Sequence, residues 1–199
     1  YITWLKSCMR HDPDIILVGE TRTLETAETV VNAALTWHLV FTTVHTNSAI
    51  EAVTRLISMW IHTYMLAPSL LLIQAQRLVR KVCPYCSKKR KATEAEKKEI
   101  ENIVSNYNAV HPDSPVSFDW TVPEIVWCSH CNNIWFMWRV WVMELLTISN
   151  KIKDAILNKS RWNEIYTLAR QEWFTTIKED AYIKAIQWYT TIDEIRKVI

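Results

Sequence analysis

Glycine occurs once among the 199 residues of this chain, at Gly19, whereas tryptophan occurs 11 times. An average composition would supply roughly fourteen glycines. A chain of this length needs left-handed backbone at turns and helix ends, where glycine is the usual residue because it has no Cβ atom. Four tryptophans lie at or next to positions just past a predicted helix, where glycine is preferred: Trp37, Trp60, Trp173 and Trp188.

The remaining composition is that of a folded protein. Hydrophobic residues make up 49% and charged residues 22% of the chain, which allows a packed core and excludes global disorder. The net charge of +2 argues against strong attraction of the whole surface to nucleic acid or anionic lipid. No apolar run has the roughly 18 residues of a spanning helix, and no secretory signal is recognisable. Because Tyr1 is not an initiator Met, we expect a piece of a longer protein.

Strands and helices are predicted to alternate in the first part of the chain. Residues 14–19 and 38–44 are short apolar runs, typical of strands buried on both faces of a parallel sheet. Apolar residues at helical spacing occupy 23–35, 48–59 and about 64–76. This order indicates an α/β unit with a parallel sheet.

Further along, a charged stretch at 87–101 precedes a proline-containing region at 105–123 that is predicted to be loop. Helical spacing then returns and continues to the end of the chain. The predicted late helices are 149–158, 161–171, 175–187 and 191–199.

Two C-x-x-C pairs lie on either side of the charged stretch. Each pair can present two thiolates to one ion, and two pairs complete a tetrahedral zinc site. Two disulfides or four free thiols are the alternatives, and the absence of a recognisable secretory signal disfavours the disulfides. Four thiolates leave no open coordination position, so the zinc is expected to be structural. The predicted ligands are Cys83, Cys86, Cys128 and Cys131, and Cys8 is expected to be a buried structural thiol.

Polar residues follow both predicted strands at their carboxyl ends, which is where α/β sheets bind ligands. Glu20 follows the first strand and Gly19, and a carboxylate in this place can hold magnesium or orient a water. His45 follows the second strand and is a plausible phosphate contact. We expect both side chains in one crevice. A solvated glutamate and a hydrogen-bonded loop histidine are the alternative interpretations.

Several segments resemble the type II secretion and type IV pilus assembly ATPases. Residues 9–22 (MRHDPDIILVGETR) look like the signature of that family, and residues 38–47 (HLVFTTVHTN) resemble its histidine box. Residues 75–80, before the first cysteine pair, and 139–146, after the second, also match. The resemblance runs nearly end to end, and the tetracysteine element points to the secretion or pilus-extension branch rather than to the retraction ATPases.

The resemblance implies an α/β fold: a partial RecA-like parallel-sheet core with an inserted Cys₄ zinc element and a helical C-terminal tail. The expected boundaries are 1–80 for the core, 81–146 for the zinc element and 147–199 for the tail. Family members are expected to act as homo-oligomers, typically hexamers, that bind an inner-membrane platform protein. This implies a cytoplasmic location, peripheral on the inner face of the membrane.

The same resemblance assigns roles to individual residues. Glu20 matches the Walker B acidic residue that acts on Mg²⁺ and water, and His45 matches the histidine-box residue near the γ-phosphate of ATP. Arg22 matches the signature arginine and is grouped with the cofactor-binding residues, with its contact left open. Two positions depart from the family pattern: Thr21, where an aliphatic residue is preferred, and Thr23, where the family has Asp.

No phosphate-binding G-x-x-x-x-G-K-[ST] loop occurs in the sequence. In the family this loop lies upstream, so the chain is expected to be the C-terminal part of the motor and to be inactive alone. A zinc-ribbon nucleic-acid module with contacts from residues 88–91 is one alternative, and a non-catalytic interaction module is another. Nearby glutamates balance the basic run, and we expect no nucleic-acid partner.

The resemblance also bears on the tryptophans. A gene that uses UGA for glycine, translated by a rule that reads UGA as tryptophan, would convert a subset of glycines and spare Gly19. We hypothesise that this happened here, with positive φ angles or exposed rings expected at the four helix-end tryptophans. The family has glycine at the positions of Trp4, Trp37, Trp60, Trp127, Trp135, Trp138, Trp141, Trp173 and Trp188, and Trp120 and Trp162 are further candidates.

Overall fold

The computed structural model describes residues 2–199, apart from the side chains at positions 2, 4 and 6. The helices are α1 (Ile2–Cys8), α2 (Leu24–Leu35), α3 (Ala49–Ser58), α4 (Thr63–Ser69), α5 (Glu94–Val110), α6 (Asn150–Leu157), α7 (Trp162–Gln171), α8 (Ile177–Ile186) and α9 (Ile192–Val198). The strands are β1 (Ile15–Val18), β2 (Leu39–Thr42), β3 (Leu72–Val82), β4 (Ser87–Lys91), β5 (Thr121–Ile125) and β6 (Phe136–Thr147).

These elements form two compact units. The first comprises Tyr1–Ile73 and Leu145–Ala169, and the second comprises Gln74–Glu144 and Arg170–Ile199. The expected boundaries at residues 80 and 146, between core, zinc element and tail, stay a prediction. Among the described residues, no helix combines the length and apolarity needed to cross a bilayer.

A parallel pair of strands forms the sheet of the first unit. β1 pairs with β2 in a register that runs from Ile15 opposite Leu39 to Val18 opposite Thr42, which confirms the predicted parallel arrangement. Ile16 and Val18 are buried against α1 and α2. The opposite face is open, unlike the two-sided burial expected from the sequence. Its exposed apolar side chains, which we call the outer sheet face, are Ile15, Leu17, Leu39 and Phe41.

The core of the second unit lies among α5, α8, α9 and the strands. β4 and β5 are antiparallel, and Val79, Ile100 and Tyr182 are almost fully buried in one apolar cluster. Capping boxes begin α5 and α8, because Thr93 and Thr176 each exchange hydrogen bonds with a glutamate three residues later. The buried glutamates therefore help to define where both helices start.

Two predictions of secondary structure are wrong. The helix expected at 64–76 ends at Ser69, and β3 begins at Leu72, because pairing of β3 with β6 overrides the helical spacing of the apolar residues. The loop expected at 105–123 contains the last turns of α5 and the start of β5. The late helices are confirmed, each shorter than predicted. Cys8 is half-buried rather than buried.

Candidate functional site

The carboxyl ends of β1 and β2 lie side by side, and hydrogen bonds continue past the last residues of the strands. The Thr21 N–H donates to the carbonyl oxygen of Thr43 (2.9 Å), and the Thr43 hydroxyl donates to the carbonyl oxygen of Gly19 (2.7 Å). These bonds hold the two chain segments in register as far as Glu20 and His45. The expected proximity of Glu20 and His45 is confirmed by the contact between their side chains, although the His45 ring is exposed rather than enclosed in a crevice.

Glu20, Arg22 and His45 form a group that we call the edge cluster. The Oε1 atom of Glu20 lies 2.6 Å from Nε of Arg22 and 2.5 Å from Nε2 of His45. The side chains of Arg22 and His45 are 74% and 80% exposed, against 24% for Glu20. The Arg22 guanidinium holds the pKa of Glu20 below its ordinary value, so the carboxylate is ionised at neutral pH. Because Arg22 and His45 are mostly exposed, both remain accessible to a ligand.

The two departures from the family pattern have local structural roles. Thr21 is 4% exposed, and its hydroxyl lies 2.8 Å from the hydroxyl of Thr42 on the neighbouring strand. Thr23 is the N-cap of α2, where its hydroxyl accepts a hydrogen bond from the Thr26 N–H. Threonine and aspartate both serve as N-caps, so Thr23 preserves the start of the helix.

Gly19 occupies open space. A Cβ atom at this position would meet no other atom within 4 Å, and its φ angle is not in the left-handed region. Within the described residues, therefore, neither sterics nor backbone conformation requires glycine beside Glu20.

The four cysteines of the C-x-x-C pairs converge on one point in the second unit. Their sulfur atoms all lie within 4.8 Å of one another, and the Sγ atoms of Cys86 and Cys131 are 3.9 Å apart. A zinc tetrahedron with bonds of about 2.3 Å has edges of about 3.8 Å, so the spacing suits this ion. The cysteines are buried and not disulfide-bonded. We call Cys83, Cys86, Cys128 and Cys131 the cysteine cluster.

Burial makes the cysteine cluster unfavourable as four thiolates without a cation. It raises the pKa of the Cys86 thiol to about 12, and the neighbouring thiols add to the increase. Burial also acts to raise the pKa of Cys131, but the N–H of Trp135 and hydrogen bonds from neighbouring thiols outweigh it, and the net pKa is lowered. A divalent cation would supply the positive charge that four thiolates need.

Sequence reasoning missed the residues that support the cysteine cluster. The side-chain oxygen of Asn133 accepts a hydrogen bond from the Cys128 N–H (3.0 Å), and the Trp135 N–H donates to the Cys131 sulfur (3.3 Å). Asn132 and Asn133 both have positive φ. The Asn-Asn pair directly after the second C-x-x-C was the available signal, because asparagine favours such turns.

Comparison with known proteins gives a consistent result. The chain is 36% identical to the type IV pilus assembly ATPase PilB of Pseudomonas aeruginosa and 37% identical to the type II secretion system protein E of the same organism. Both alignments cover 98% of the chain but only 32% and 36% of the relatives, so the chain spans about a third of their length.

Solved structures show the same fold. The pilus retraction motor PilT with bound ADP superimposes with a TM-score of 0.64 at 24% identity, over 98% of this chain and 42% of that one. The ATPase DotB of Legionella pneumophila gives 0.60 at 22% identity, over 97% and 40% of the respective chains. The sequence profile described as type II/IV secretion system protein matches residues 1–197. The chain therefore belongs to the type II/IV secretion system protein family.

Proposed function

We propose that the complete protein is a cytoplasmic ATPase motor that drives assembly of a type IV pilus or of the pseudopilus of a type II secretion system. The observation that carries this proposal is the edge cluster, in which Glu20 and His45 meet at the carboxyl edge of a parallel strand pair. The names of the related proteins, an assembly ATPase and a secretion protein, support it. In this proposal the motor acts as a homo-oligomer, a hexamer, on the inner face of the membrane against a platform protein.

Each member of the edge cluster has a proposed role. Bound Mg²⁺ and ATP would supply the electrophilic phosphate and its charge neutralisation. Glu20, kept ionised by Arg22, acts on the metal and orients water. His45 and Arg22 are exposed enough to reach phosphate oxygens, and both carry N–H groups that can donate hydrogen bonds to them.

The chain carries only part of this machinery in our proposal. The sequence has no G-x-x-x-x-G-K-[ST] loop, so the phosphate cradle is assigned to a part of the protein outside these residues. The outer sheet face supports this assignment, because Leu17 is 78% and Ile15 60% exposed on a strand of the type that is normally covered on both faces. We therefore predict that the chain alone does not hydrolyse ATP appreciably.

The cysteine cluster is proposed to hold one structural zinc ion. Four cysteine sulfurs at this spacing match the ligand set of closed zinc sites, which leave no position for a substrate. The proposed role is to hold β3, the turn after it and the segment before β6 together. In this proposal the residues of the edge cluster take part in ATP hydrolysis, and the metal stabilises the fold of the second unit.

A nucleic-acid-binding function receives less support from the structure. Of the basic residues in β4, Arg90 pairs with the buried Glu96 at 2.6 Å, and Lys89 lies 3.7 Å from Asp119. Part of the positive charge is thus neutralised locally, and phosphate contacts would have to come from the remaining lysines.

The test is ATP turnover by the complete protein with the substitution Glu20→Gln. We expect the variant to keep nucleotide binding and to lose roughly 10²- to 10⁴-fold in turnover, since the amide cannot accept a proton or carry the charge. Glu28→Gln, an exposed carboxylate on α2, is the matched control and should turn over ATP normally. Wild-type turnover by Glu20→Gln would remove Glu20 from the catalytic role.

A further inference from the structure

Seven tryptophans have left-handed backbone. Their φ angles lie between 62° and 72°, a region that bulky residues rarely adopt because the Cβ atom crowds the following carbonyl oxygen. The other left-handed residues among those described are Asp12, Asn132, Asn133 and Lys159, with φ between 50° and 57°. The left-handed tryptophans are Trp37, Trp60, Trp120, Trp135, Trp138, Trp173 and Trp188.

Four of them occupy one specific position, the second residue after a helix. This position, C′, is where glycine is most strongly enriched. After α8 the complete hydrogen-bond pattern of a Schellman motif is present, because the Trp188 N–H donates to Ala185 O (3.0 Å) and the Tyr189 N–H donates to Lys184 O (2.9 Å). The tryptophans at C′ are Trp37 after α2, Trp60 after α3, Trp173 after α7 and Trp188 after α8.

Burial of the ring does not explain the left-handed backbone at Trp37 or Trp60. Trp37 is 98% exposed and Trp60 is 85% exposed, so their indoles gain almost no packing in return for the strained backbone. Trp138 has φ 68° inside β6, where glycine often marks a bulge or a close backbone approach. Gly19 is the reverse case. Its φ angle is not left-handed and the described residues leave room for a Cβ atom, so its position does not require glycine.

From this geometry we propose that the gene encodes glycine at these seven positions, read from UGA codons. The structure supplies a backbone reason for each of the seven. In the described part of the chain, Trp127, Trp141 and Trp162 have no left-handed φ. Glycine at Trp127 and Trp141 rests on the family resemblance alone, and Trp162 stays a candidate without a backbone argument. Trp4 lies outside the described side chains.

The direct test is peptide mass spectrometry of the protein isolated from the organism that carries the gene, together with the codons themselves. We expect peptides covering the seven positions to have the masses of peptides in which hydrogen replaces one indolylmethyl group per site, and we expect TGA at each codon. Tryptophan-containing peptides or TGG codons at these positions would overturn the proposal.

A stability measurement tests the backbone argument independently, with the complete protein carrying tryptophan at these positions as the parent. Trp37→Gly and Trp37→Ala both remove the exposed indole, but only glycine removes the cost of the left-handed φ. We expect the glycine variant to melt above the alanine variant, and the same order at Trp60. Trp141, in a strand with ordinary φ, is the matched control, where alanine should melt above glycine. Alanine equal to or better than glycine at both Trp37 and Trp60 would contradict the assignment.

Discussion

The edge cluster and the cysteine cluster differ in how they hold reactive side chains. In the edge cluster the charges are paired in solvent, with Arg22 and His45 mostly exposed around Glu20. In the cysteine cluster the four cysteines are buried, 0–6% exposed, and their sulfurs lie within 4.8 Å of one another. The first arrangement persists without a ligand, whereas the second needs a cation before its thiolates can coexist. On the proposed roles, one cluster needs its ligand to act and the other needs its ligand to fold.

The largest effect is therefore expected from the cysteine cluster. Cys131→Ser removes one thiolate and should abolish stoichiometric zinc binding, a contribution of roughly 10–16 kcal/mol in zinc-finger peptides. Hydrogen exchange should show lost protection over residues 80–145 with little change over residues 1–60.

Metal analysis of protein purified without added zinc is the companion measurement, with one zinc per chain expected in the wild type. Cys8→Ser is the control, because Cys8 lies outside the cluster. Protein without metal whose four cysteines form two disulfides would remove the zinc site.

An intermediate effect on stability is expected from the ion pair of Arg90 with Glu96, which is a buried counterpart of the Glu20–Arg22 pair. Arg90 and Glu96 are also 2.6 Å apart, but the Glu96 side chain is only 7% exposed. Arg90 lowers the pKa of Glu96 to about 2 from an ordinary value of 4.5. Because the folded pKa is the lower one, the stabilisation is present above pH 4.5 and is lost as pH falls toward 2.

Glu96→Gln keeps the capping box but loses the ion pair, and should cost roughly 2 kcal/mol at neutral pH, as measured by denaturant unfolding. The difference between wild type and variant in the free energy of unfolding should shrink as the pH falls from 4.5 toward 2. Glu94→Gln is the control, because Glu94 is 90% exposed in its pair with Lys97. A wild-type-to-variant difference that is independent of pH would contradict the assigned cause.

The smallest effect on stability is expected from Glu20→Gln, even though this substitution should lower turnover strongly. The partners of Glu20 are exposed, so water replaces the lost ion pairs. The denaturation midpoint should stay at the wild-type value. A clear loss of stability would show that the edge cluster supports the fold, and the contrast with the cysteine cluster would disappear.

The sequence predicts the two clusters better than the elements between them. Glu20 and His45 are recognisable because parallel strands place their carboxyl ends at one edge, and the cysteines because C-x-x-C spacing positions two sulfurs together. β3 is not recognisable, because its first apolar residues continue the spacing of α4 and only pairing with β6 makes them extended. The roles of Glu20, His45 and Arg22 stay predictions, since they depend on ATP, on Mg²⁺ and on a phosphate-binding loop that this sequence does not contain.

The left-handed tryptophans have a practical consequence for enzymology. Indole dominates the near-ultraviolet absorbance of proteins, and seven of the 11 indoles occupy positions assigned here to glycine. An extinction coefficient calculated with tryptophan at those positions is too large for a protein that has glycine there. Concentrations read from absorbance would then be too low, and every turnover number normalised to them would be too high by the same factor. Quantification by amino-acid hydrolysis would avoid this error.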